Sequence, residues 1–543
     1  MTRVAEAVGT ALAELGVDHV FGVVGSGNFH VTNALVAGGA RYVAARHEGG
    51  AATMADAYAR TSGRVGVLSV HQGCGLTNAV TGITEAAKSR TPLLVLAAET
   101  AASAVRSNFR IDQSALVESV GAVAERIGSP ETAVADAARA LRRAVGERRT
   151  VLLNLPLDVQ AAPCPPEFMA VPPAPATSSV PVPDVGELVD ALARARRPVF
   201  LAGRGARHAR AALELLADRV GALIATSAVA KGLFNGNPWY LDVCGGFSSP
   251  LAASLMGDAD LVVAWGCSLS MWTTRHGSLI GQDTTVVQVD LAADAIGATV
   301  PVDVAVVGDV DVVATAVLEL AAVNPGYRSD DLRARIAAEC RWRDLPYPDE
   351  SDGTRIDPRT LSIGLDDLLP RERTLAIDSG NFMGYPSMYL SVPDEQGFCF
   401  TQAFQSIGLG LATAIGAALA RPDRLPVAAL GDGGAMMSIA ELDTVVRLGL
   451  PMVVVVYDDE AYGAEVHHFG PDGHPLDTVV FPPTDIAAVG RGFGCDAVTV
   501  RAPSDLAGVA AWLAGPRDRP LVVDAKVTAN SGSWWLEEAF RGH

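Results

Sequence analysis

Two acidic residues in the last third of the chain each follow an apolar run of strand length. Asp432 lies in a Gly-Asp-Gly-Gly turn at 431–434, directly after the run 427–430. Asp459 comes 27 residues later, after the run 453–457. Because the carboxyl ends of neighbouring parallel strands meet at one edge of a sheet, we expect the two carboxylates to converge.

The glycine turn and the two acids suit a particular kind of ligand. Glycines at a strand-to-helix turn let backbone N–H groups approach a phosphate, and the helix dipole favours negative charge there. Asp432 and Asp459 supply hard oxygen ligands of the kind that Mg²⁺ prefers. The pattern predicts a site for Mg²⁺-bound phosphate, with a helix beginning around Met436. The alternative is that both acids only cap their strands.

A third carboxylate, Glu48, follows the predicted strand 42–45 in the stretch Arg-His-Glu-Gly-Gly-Ala at 46–51. No histidine follows at the spacing of a zinc-protease helix, so the stretch is not that metal motif. From its position alone, Glu48 is suited to cap a helix starting at Gly49.

The bulk composition limits the partners that the protein could have. The chain has 543 residues, 49% of them hydrophobic, and a formal net charge of −19. So acidic a chain repels phosphate backbones and anionic membranes, and we expect no nucleic-acid or membrane partner. Residues 2–15 have the pattern of an amphipathic helix, and no apolar run reaches membrane-spanning length. The seven cysteines are dispersed, which indicates reduced thiols and a cytoplasmic protein.

Two proline-rich breaks, at 163–183 and 345–358, divide the chain. They predict three domains, at 1–162, 184–325 and 357–530. Each domain alternates short β-branched runs with helical patterns, which is typical of a parallel sheet covered on both faces. We therefore predict an α/β fold with three doubly wound parallel-sheet domains.

The first and third predicted domains share one unit, in which strand, glycine turn, helix, proline and strand follow in that order. The unit spans residues 67–98 and 427–457. It indicates two similar domains that face each other, with a different domain between them. The predicted strands of these two domains are 19–24, 42–45, 65–70, 93–97, 151–155, 374–377, 427–430, 453–457 and 521–524.

The Gly-Asp-Gly turn, followed 27 residues later by an acid before a turn, resembles the fingerprint of thiamine-diphosphate-dependent enzymes. The resemblance implies thiamine diphosphate and Mg²⁺ as cofactors, with Mg²⁺ bound by Asp432, Asp459 and the backbone carbonyl of Ala461. The family more often has Asn in place of Asp459, so this chain adds a negative charge there. Asp458 is expected to be a neighbour of the metal and not a ligand. The resemblance also implies that the three domains are pyrimidine-binding, central and diphosphate-binding.

Further stretches resemble the segments with which this family holds its cofactor. In residues 405–410, the backbone carbonyl of Gln405 would accept a hydrogen bond from N4′ of the aminopyrimidine, and Ile407 would hold the cofactor bent. The residues 378–382 would help to hold the diphosphate. The cofactor-binding residues implied in this way are Ser379, Gly380, Asn381, Phe382, Gln405, Ile407, Gly431, Asp432, Gly433, Gly434, Ala435, Asp459, Ala461, Tyr462 and Gly463.

The first domain resembles the branch of the family that contains acetolactate synthase, benzaldehyde lyase and benzoylformate decarboxylase. There Glu48 takes the position of the glutamate that hydrogen-bonds N1′ of the aminopyrimidine. Ser26 matches a substrate-binding serine, His71 a proton-relaying histidine, and Gln113 a glutamine that points at the reacting centre. The alternatives are that Ser26 or Asn28 is only a helix N-cap, His71 a structural residue and Gln113 an amide that holds a loop together.

The resemblance implies a carboligase or lyase that acts on 2-keto acids or 2-hydroxy ketones through an enamine (acyl carbanion) intermediate, like acetolactate synthase. The alternatives are a non-oxidative 2-keto acid decarboxylase of the benzoylformate decarboxylase type, and a cofactor-binding subunit without turnover. In the family the cofactor lies between subunits, so a homodimer or homotetramer is expected. FAD is a further candidate cofactor, since the turn 203–206 and the segment 266–277 with Arg275 resemble flavin-contacting segments. The alternative is that the central domain is a structural spacer.

Overall fold

The protein is described by a computed structural model that covers residues 1–174 and 182–536. Its strands form three separate six-stranded sheets, and neighbouring strands within each sheet run parallel. Helices follow most strands and cover both faces of the sheets. The predicted fold class is confirmed.

The first sheet lies within residues 19–156 and has the strand order β2-β1-β3-β4-β6-β5. Its strands are β1 (His19–Gly22), β2 (Arg41–Ala44), β3 (Gly66–Val70), β4 (Leu93–Glu99), β5 (Val123–Arg126) and β6 (Thr150–Pro156). The helices around it are α1 (Val4–Glu14), α2 (Phe29–Ala37), α3 (Glu48–Ser62), α4 (Cys74–Asn78), α5 (Val80–Lys88), α6 (Gln113–Glu118), α7 (Ala133–Gly146) and α8 (Leu157–Ala161).

The second sheet has a different strand order, β12-β11-β10-β7-β8-β9. Its strands are β7 (Pro198–Ala202), β8 (Leu223–Thr226), β9 (Tyr240–Val243), β10 (Leu261–Trp265), β11 (Thr285–Asp290) and β12 (Val304–Val307). The helices of this region are α9 (Gly186–Arg194), α10 (Arg210–Val220), α11 (Pro250–Gly257), α12 (Met271–Thr274), α13 (Val310–Leu320) and α14 (Asp330–Glu339).

The third sheet, with the order β14-β13-β15-β16-β18-β17, repeats the connectivity of the first. Its strands are β13 (Arg373–Ile377), β14 (Phe398–Phe400), β15 (Leu425–Gly431), β16 (Val453–Asp458), β17 (Asp496–Val500) and β18 (Leu521–Lys526). Its helices are α15 (Pro358–Leu368), α16 (Gly384–Tyr389), α17 (Gly410–Ala420), α18 (Asp432–Ser438), α19 (Glu441–Arg447), α20 (Gly463–Phe469), α21 (Ile486–Gly492) and α22 (Ala507–Ala514). The shared order confirms the expectation of two similar outer domains with a different one between them.

Three strands of the outer domains were not predicted: β5, β14 and β17. All three are edge strands. β5 and β17 are mostly half-buried, and β14 has only three residues. A half-buried edge strand carries polar residues and lacks the continuous apolar run that marks a central parallel strand, so the sequence pattern does not distinguish it from a loop.

The first and third domains pack against each other through α3 and α17. Ten of the 15 residues of α3 are buried, and most of them are small. Gly416 of α17 lies so close to α3 that a Cβ atom there would be 2.2 Å from the backbone oxygen of Met54. The two helices therefore hold the outer domains together within one chain.

The first proline-rich break is only partly described, because residues 175–181 of the predicted linker 163–183 lie outside the described ranges. Residues 345–357, in the second break, contain no helix or strand, and α15 begins at Pro358. In the described ranges, no helix is both long and apolar enough to span a membrane. The seven cysteines are free thiols.

Candidate active site

The two acids of the predicted metal site lie at neighbouring strand ends. Gly431, the last residue of β15, pairs with Tyr457 of β16, so Asp432 and Asp459 leave the sheet at the same edge. Their side chains lie close enough for each to shift the pKa of the other. The prediction that a helix begins around Met436 was wrong, because α18 begins at Asp432 itself. The glycines that follow Asp432 form part of the first helical turn instead of a separate loop.

The electrostatics of this pair favour a bound cation. Burial, with the charges of Asp459 and Asp458, raises the pKa of Asp432 to about 8. Burial also raises the pKa of Asp459 to about 6, although its contact with the Asp432 carboxyl acts in the opposite direction. Two buried carboxylates in contact need a proton or a cation to offset their repulsion. Asp432 and Asp459 therefore fit a divalent cation such as Mg²⁺.

A cation at this point needs further ligands. Over residues 1–174 and 182–536, no group of three or more His, Cys, Asp or Glu side chains is placed to hold a metal ion. Ala461, whose carbonyl is the third predicted ligand, lies in the turn after Asp459 and forms an isolated bridge with Val480. Glu460 has a φ of 60° there and forms an ion pair with Arg355, which fixes the turn.

Asp458 belongs to a separate buried ion pair. Lys526 at the end of β18 donates to Asp458 and lies 3.1 Å from Asp524. It also donates to the carbonyl of Thr484 at 2.8 Å. This contact agrees with the expectation that Asp458 is not a metal ligand. Sequence reasoning missed Lys526, for which the signal was a lysine two residues after an aspartate in a strand whose other residues are apolar.

Glycines bring the loops around Asp432 into close contact. A Cβ at Gly434 would lie 2.4 Å from Oδ2 of Asp378, and one at Gly433 would lie 2.5 Å from the ring of Tyr462. Gly380 has a φ of 132°, which favours glycine. Each loop can therefore approach a ligand closely with its backbone.

Asp378 joins two of these loops. It accepts hydrogen bonds from the backbone N–H of Ser379 at 2.8 Å and of Gly408 at 2.9 Å. Burial raises the pKa of Asp378 to about 6, although these amides act in the opposite direction. The sequence indicated that residues 378–382 contact the diphosphate, but it gave no sign that the Asp378 side chain fastens the loop after Gln405.

One cavity of about 1400 Å³ collects the predicted cofactor-binding residues. All of them line it except Ala435, whose side chain is packed into the core behind α18. Gln405, which the resemblance assigns to the aminopyrimidine, has a φ of 62°, and both it and Ile407 face the cavity. The described structure thus brings together residues that are up to 84 positions apart in the chain, from Ser379 to Gly463.

A second group of predicted residues lies in the first domain. Oγ of Ser26 is 3.4 Å from Nε2 of His71, and the Phe109 ring packs on the imidazole with centroids 5.0 Å apart. Glu48 is half-buried and accepts a hydrogen bond from Nδ2 of Asn78 at 3.0 Å. The N-cap of α3 is His47, whose Nδ1 accepts from the amide of Gly49, so the capping alternative for Glu48 was wrong.

Gly75 lies between two members of this group, His71 and Glu48. A Cβ at Gly75 would lie 3.1 Å from Cβ of His71 and 3.4 Å from Oε1 of Glu48. The contact between Nδ1 of His71 and the carbonyl of Gln72, at 2.9 Å, requires the proton on Nδ1, because a carbonyl only accepts. In the neutral ring, Nε2 is then free to accept a proton near Ser26.

The side-chain amide of Gln113 is not free to contact a ligand beside this group. It is 3% exposed, and its Oε1 accepts from the amide of Gly73 at 2.9 Å. Its Nε2 donates to the carbonyl of Ala98 at 3.1 Å and to Oδ1 of Asn154 at 2.8 Å. The geometry therefore favours the alternative in which Gln113 holds the 71–78 loop, because a buried amide is fixed by the partners that satisfy it.

Comparison with known proteins agrees with this geometry. The family descriptions "Thiamine pyrophosphate enzyme, N-terminal TPP binding domain", "central domain" and "C-terminal TPP binding domain" match residues 2–116, 185–317 and 378–525. The probable 2-ketoarginine decarboxylase of Pseudomonas aeruginosa is 31% identical over 91% of this chain and 88% of its own. The chain belongs to the thiamine-diphosphate-dependent enzymes.

Other relatives within this family carry out different reactions. The sulfoacetaldehyde acetyltransferase of Rhodobacter capsulatus is 29% identical over 85% of this chain and 82% of its own. The probable acetolactate synthase large subunit of Methanococcus aeolicus is 26% identical over 84% of this chain and 81% of its own. Membership of the thiamine-diphosphate-dependent family therefore does not determine which reaction this protein catalyses.

In this member of the family, the cavity extends into the central domain. The glycine turn after β7 lines it, but a Cβ at Gly203 would lie 2.2 Å from the carbonyl oxygen of Gly266. Arg275 donates to the carbonyls of Gly245 and Ser248, each at 3.0 Å, and stacks on Trp534. These contacts support a packing role for the turn 203–206 and the segment 266–277, the two stretches that resemble flavin-contacting segments. FAD binding stays a prediction, which visible absorbance of the purified protein would test.

Residues 533–535 also reach this cavity. Ser533 donates its amide to Oδ1 of Asn381 at 3.0 Å, and Nε1 of Trp535 donates to the carbonyl of Asn381 at 3.1 Å. Trp535 lines the cavity. Residues 537–543 lie outside the described residues.

Proposed function

We propose that the protein is a thiamine-diphosphate- and Mg²⁺-dependent lyase that removes CO₂ from a 2-keto acid and releases an aldehyde. The observation that carries this proposal is the pair formed by Ser26 and His71, whose Oγ and Nε2 atoms are 3.4 Å apart beside Glu48. The amide of Gln113, which in a carboligase would orient the second carbonyl, is instead engaged in holding a loop. Proton delivery is thus better supported than orientation of a second carbonyl.

The predicted cofactor-binding residues divide into those that would bind Mg²⁺ and those that would contact thiamine diphosphate. Asp432, Asp459 and the carbonyl of Ala461 would hold Mg²⁺, because two of them form a buried carboxylate pair that needs a cation. The glycines around them leave backbone room for the diphosphate. When bound, the cofactor supplies a carbanion that adds to a carbonyl carbon and stabilises the charge left by loss of CO₂.

The residues of the first domain handle protons. Glu48 would hold a proton at N1′ of the aminopyrimidine, since its half-buried carboxylate keeps an oxygen beyond the one that Asn78 contacts. His71, with its proton on Nδ1, would carry a second proton on Nε2 and deliver it toward the carbon that lost CO₂. Ser26 would orient the substrate carboxylate or pass that proton on.

The substrate is best sought with a panel of 2-keto acids: pyruvate, benzoylformate and 2-ketoarginine. The last follows from the name of one relative and from Glu465, a carboxylate that lines the cavity. With thiamine diphosphate and Mg²⁺ present, we expect equal release of CO₂ and aldehyde from one of these acids. His71→Ala should slow aldehyde release about 10²- to 10⁴-fold, while the exposed control His208→Ala in the central domain should not.

A second candidate function is carboligation, favoured by the relatives named as an acetyltransferase and an acetolactate synthase. The same panel with an added acceptor aldehyde distinguishes the two functions. A hydroxyketone as the main product from the unsubstituted enzyme would replace decarboxylation with carboligation. Absence of any turnover with bound cofactor would favour a cofactor-binding subunit.

The working assembly that we propose is a homodimer or homotetramer. Neither Ser26, His71 nor Glu48 lines the cavity that holds Asp432 and Asp459, so each described chain presents two separate groups of site residues. A two-fold axis would place the first-domain group of one chain against the cavity of its partner. The free thiols support a reducing cytoplasmic setting for this assembly.

A further inference from the structure

The loop from β14 to α17 carries the two residues that would contact the aminopyrimidine, Gln405 and Ile407. It contains no helix or strand between Phe400 and Gly410. Gln405 has a φ of 62°, a left-handed conformation that a side chain with a Cβ seldom adopts unless its surroundings impose it. Something in the structure must therefore fix the backbone before Gln405.

Glu85 of α5, in the first domain, provides that contact. Its Oε1 accepts from the amide of Ala403 at 3.0 Å, and its Oε2 accepts from the amide of Phe404 at 2.6 Å. Both oxygens are thus engaged by the two peptide groups that directly precede Gln405. On the far side of the loop, Asp378 accepts from the amide of Gly408.

The charge on Glu85 is maintained by its neighbours. Glu85 is fully buried, and NH2 of Arg60 donates to its Oε1 at 2.7 Å. Burial acts to raise the pKa of Glu85, but Arg60 and the two amides outweigh it and hold the pKa below its usual value. Arg60 also donates through NH1 to the carbonyl of Phe400 at 3.0 Å, so the same ion pair holds the start of the loop.

We infer that Glu85 is a positioning residue for thiamine diphosphate: it holds the Gln405 carbonyl where the 4′-amino group of the aminopyrimidine donates. The inference rests on the proposed function, and in particular on the role of Gln405. Glu85 itself is buried beneath the loop and acts only through the Ala403 and Phe404 amides. The first domain thereby sets the cofactor geometry of the third domain of the same chain.

The test compares two ligands that differ only in the 4′-amino group. The affinities of the full enzyme for thiamine diphosphate and for its 4′-desamino analogue are measured calorimetrically with Mg²⁺. Glu85→Gln presents an N–H to one of the two amides, so we expect the ratio of the two affinities to fall about tenfold, the effect of one hydrogen bond. A merely structural role would weaken both ligands equally.

The matched control is Asp136→Asn. Asp136 is also a buried carboxylate of the first domain that accepts from an amide, Gly128 at 3.0 Å, and pairs with an arginine. Its substitution should leave the affinity ratio unchanged. Equal weakening of both ligands by Glu85→Gln, or no change in either, would overturn the inference.

A measurement on the unsubstituted protein covers the case in which Glu85→Gln does not fold. The amides of Ala403 and Phe404 should exchange their hydrogens slowly in the cofactor-free enzyme, and rapid exchange would also overturn the inference. Failure of the proposed cofactor site gives a different result, because the unsubstituted enzyme would then bind neither ligand. A different reaction on the same cofactor, such as carboligation, would leave the comparison of the two affinities unchanged.

Discussion

Glu48 has a side chain that is only half-buried and has a single hydrogen-bond donor among its described contacts, Nδ2 of Asn78. A carboxylate so placed keeps an oxygen for a ligand, and this distinguishes it from buried acids such as Glu85, whose oxygens are both engaged. Its position as the first residue of α3 depends on His47, which takes the capping role.

Replacement of this carboxylate should separate cofactor binding from turnover. Glu48→Gln keeps the shape and an oxygen for Asn78 but cannot hold a proton in exchange with N1′. We expect unchanged thiamine diphosphate affinity and a loss in kcat of about 10²- to 10⁴-fold. Steady-state rates and calorimetry measure both, with the exposed Glu14→Gln as control. Unchanged turnover would refute the role of Glu48.

The acid pair at the strand ends predicts a pH-dependent metal affinity. The pKa values of Asp432 and Asp459 are raised, to about 8 and about 6, so in neutral solution the metal-free pair holds one proton, mainly on Asp432. Mg²⁺ must displace that proton, and its affinity should rise with pH by up to about tenfold per unit until Asp432 is ionised. Titration calorimetry at several pH values checks this.

Asp459→Asn is the matched variant for that measurement. It removes one of the charges that raise the pKa of Asp432 and should therefore flatten the pH dependence of Mg²⁺ affinity. An affinity that does not vary with pH in the unsubstituted protein would contradict the prediction.

At the scale of elements, the crossing of α3 and α17 decides how the two outer domains sit. Helix α3 begins at Glu48, and α17 follows the loop that carries Gln405, so the same contact relates both parts of the proposed site within one chain. The helices approach closely at Gly416, and the atom it faces is a backbone oxygen that cannot rotate away.

Gly416→Ala should therefore destabilise the protein. Its Cβ would lie 2.2 Å from the Met54 oxygen, and relief requires the helices to separate. We expect a loss of about 1–3 kcal/mol in the free energy of unfolding, measured by urea denaturation. Gly257→Ala in α11 is the control, since its Cβ would meet nothing within 4 Å. Equal stability of the two variants would show that α17 shifts without cost.

At the scale of the whole molecule, both groups of site residues carry exposed apolar side chains. Phe29 follows Ser26 and is 50% exposed, and Phe109 and Ile111, in the segment between β4 and α6 that packs on His71, are 45% and 40% exposed. Phe404 and Met437, beside Gln405 and in α18, are 44% and 57% exposed. Apolar surface of this kind marks an interaction face, and its location at both groups supports a partner copy there.

Mixing two inactive variants tests whether the site is shared. A Glu48→Gln chain and an Asp432→Asn chain are each inactive alone under the proposal. If subunits exchange and every site uses Glu48 of one chain and Asp432 of another, an equimolar mixture regains about a quarter of the activity. A site within one chain regains none. Light scattering of each pure variant verifies that both assemble like the unsubstituted enzyme.

The spacing of Asp432 and Asp459 was informative in the sequence because it follows from local geometry. A strand, a helix and a second parallel strand bring their ends together whatever the rest of the chain does, and β15 and β16 do so in register. The fold class was predictable for the same reason, since buried parallel strands read as continuous apolar runs.

Contacts between distant segments could not be predicted in this way. The amide of Gln113 is fixed by Gly73, Ala98 and Asn154, which come from three separate loops and strands. Glu85 meets Ala403 across 318 positions of the chain. The sequence shows which chemical group a side chain carries but not which residues contact it. For a buried side chain, those contacts decide whether the group is free to bind a ligand. The sequence alone therefore determined the α/β class and the cofactor, whereas only the tertiary structure decided which polar side chains are free for a ligand.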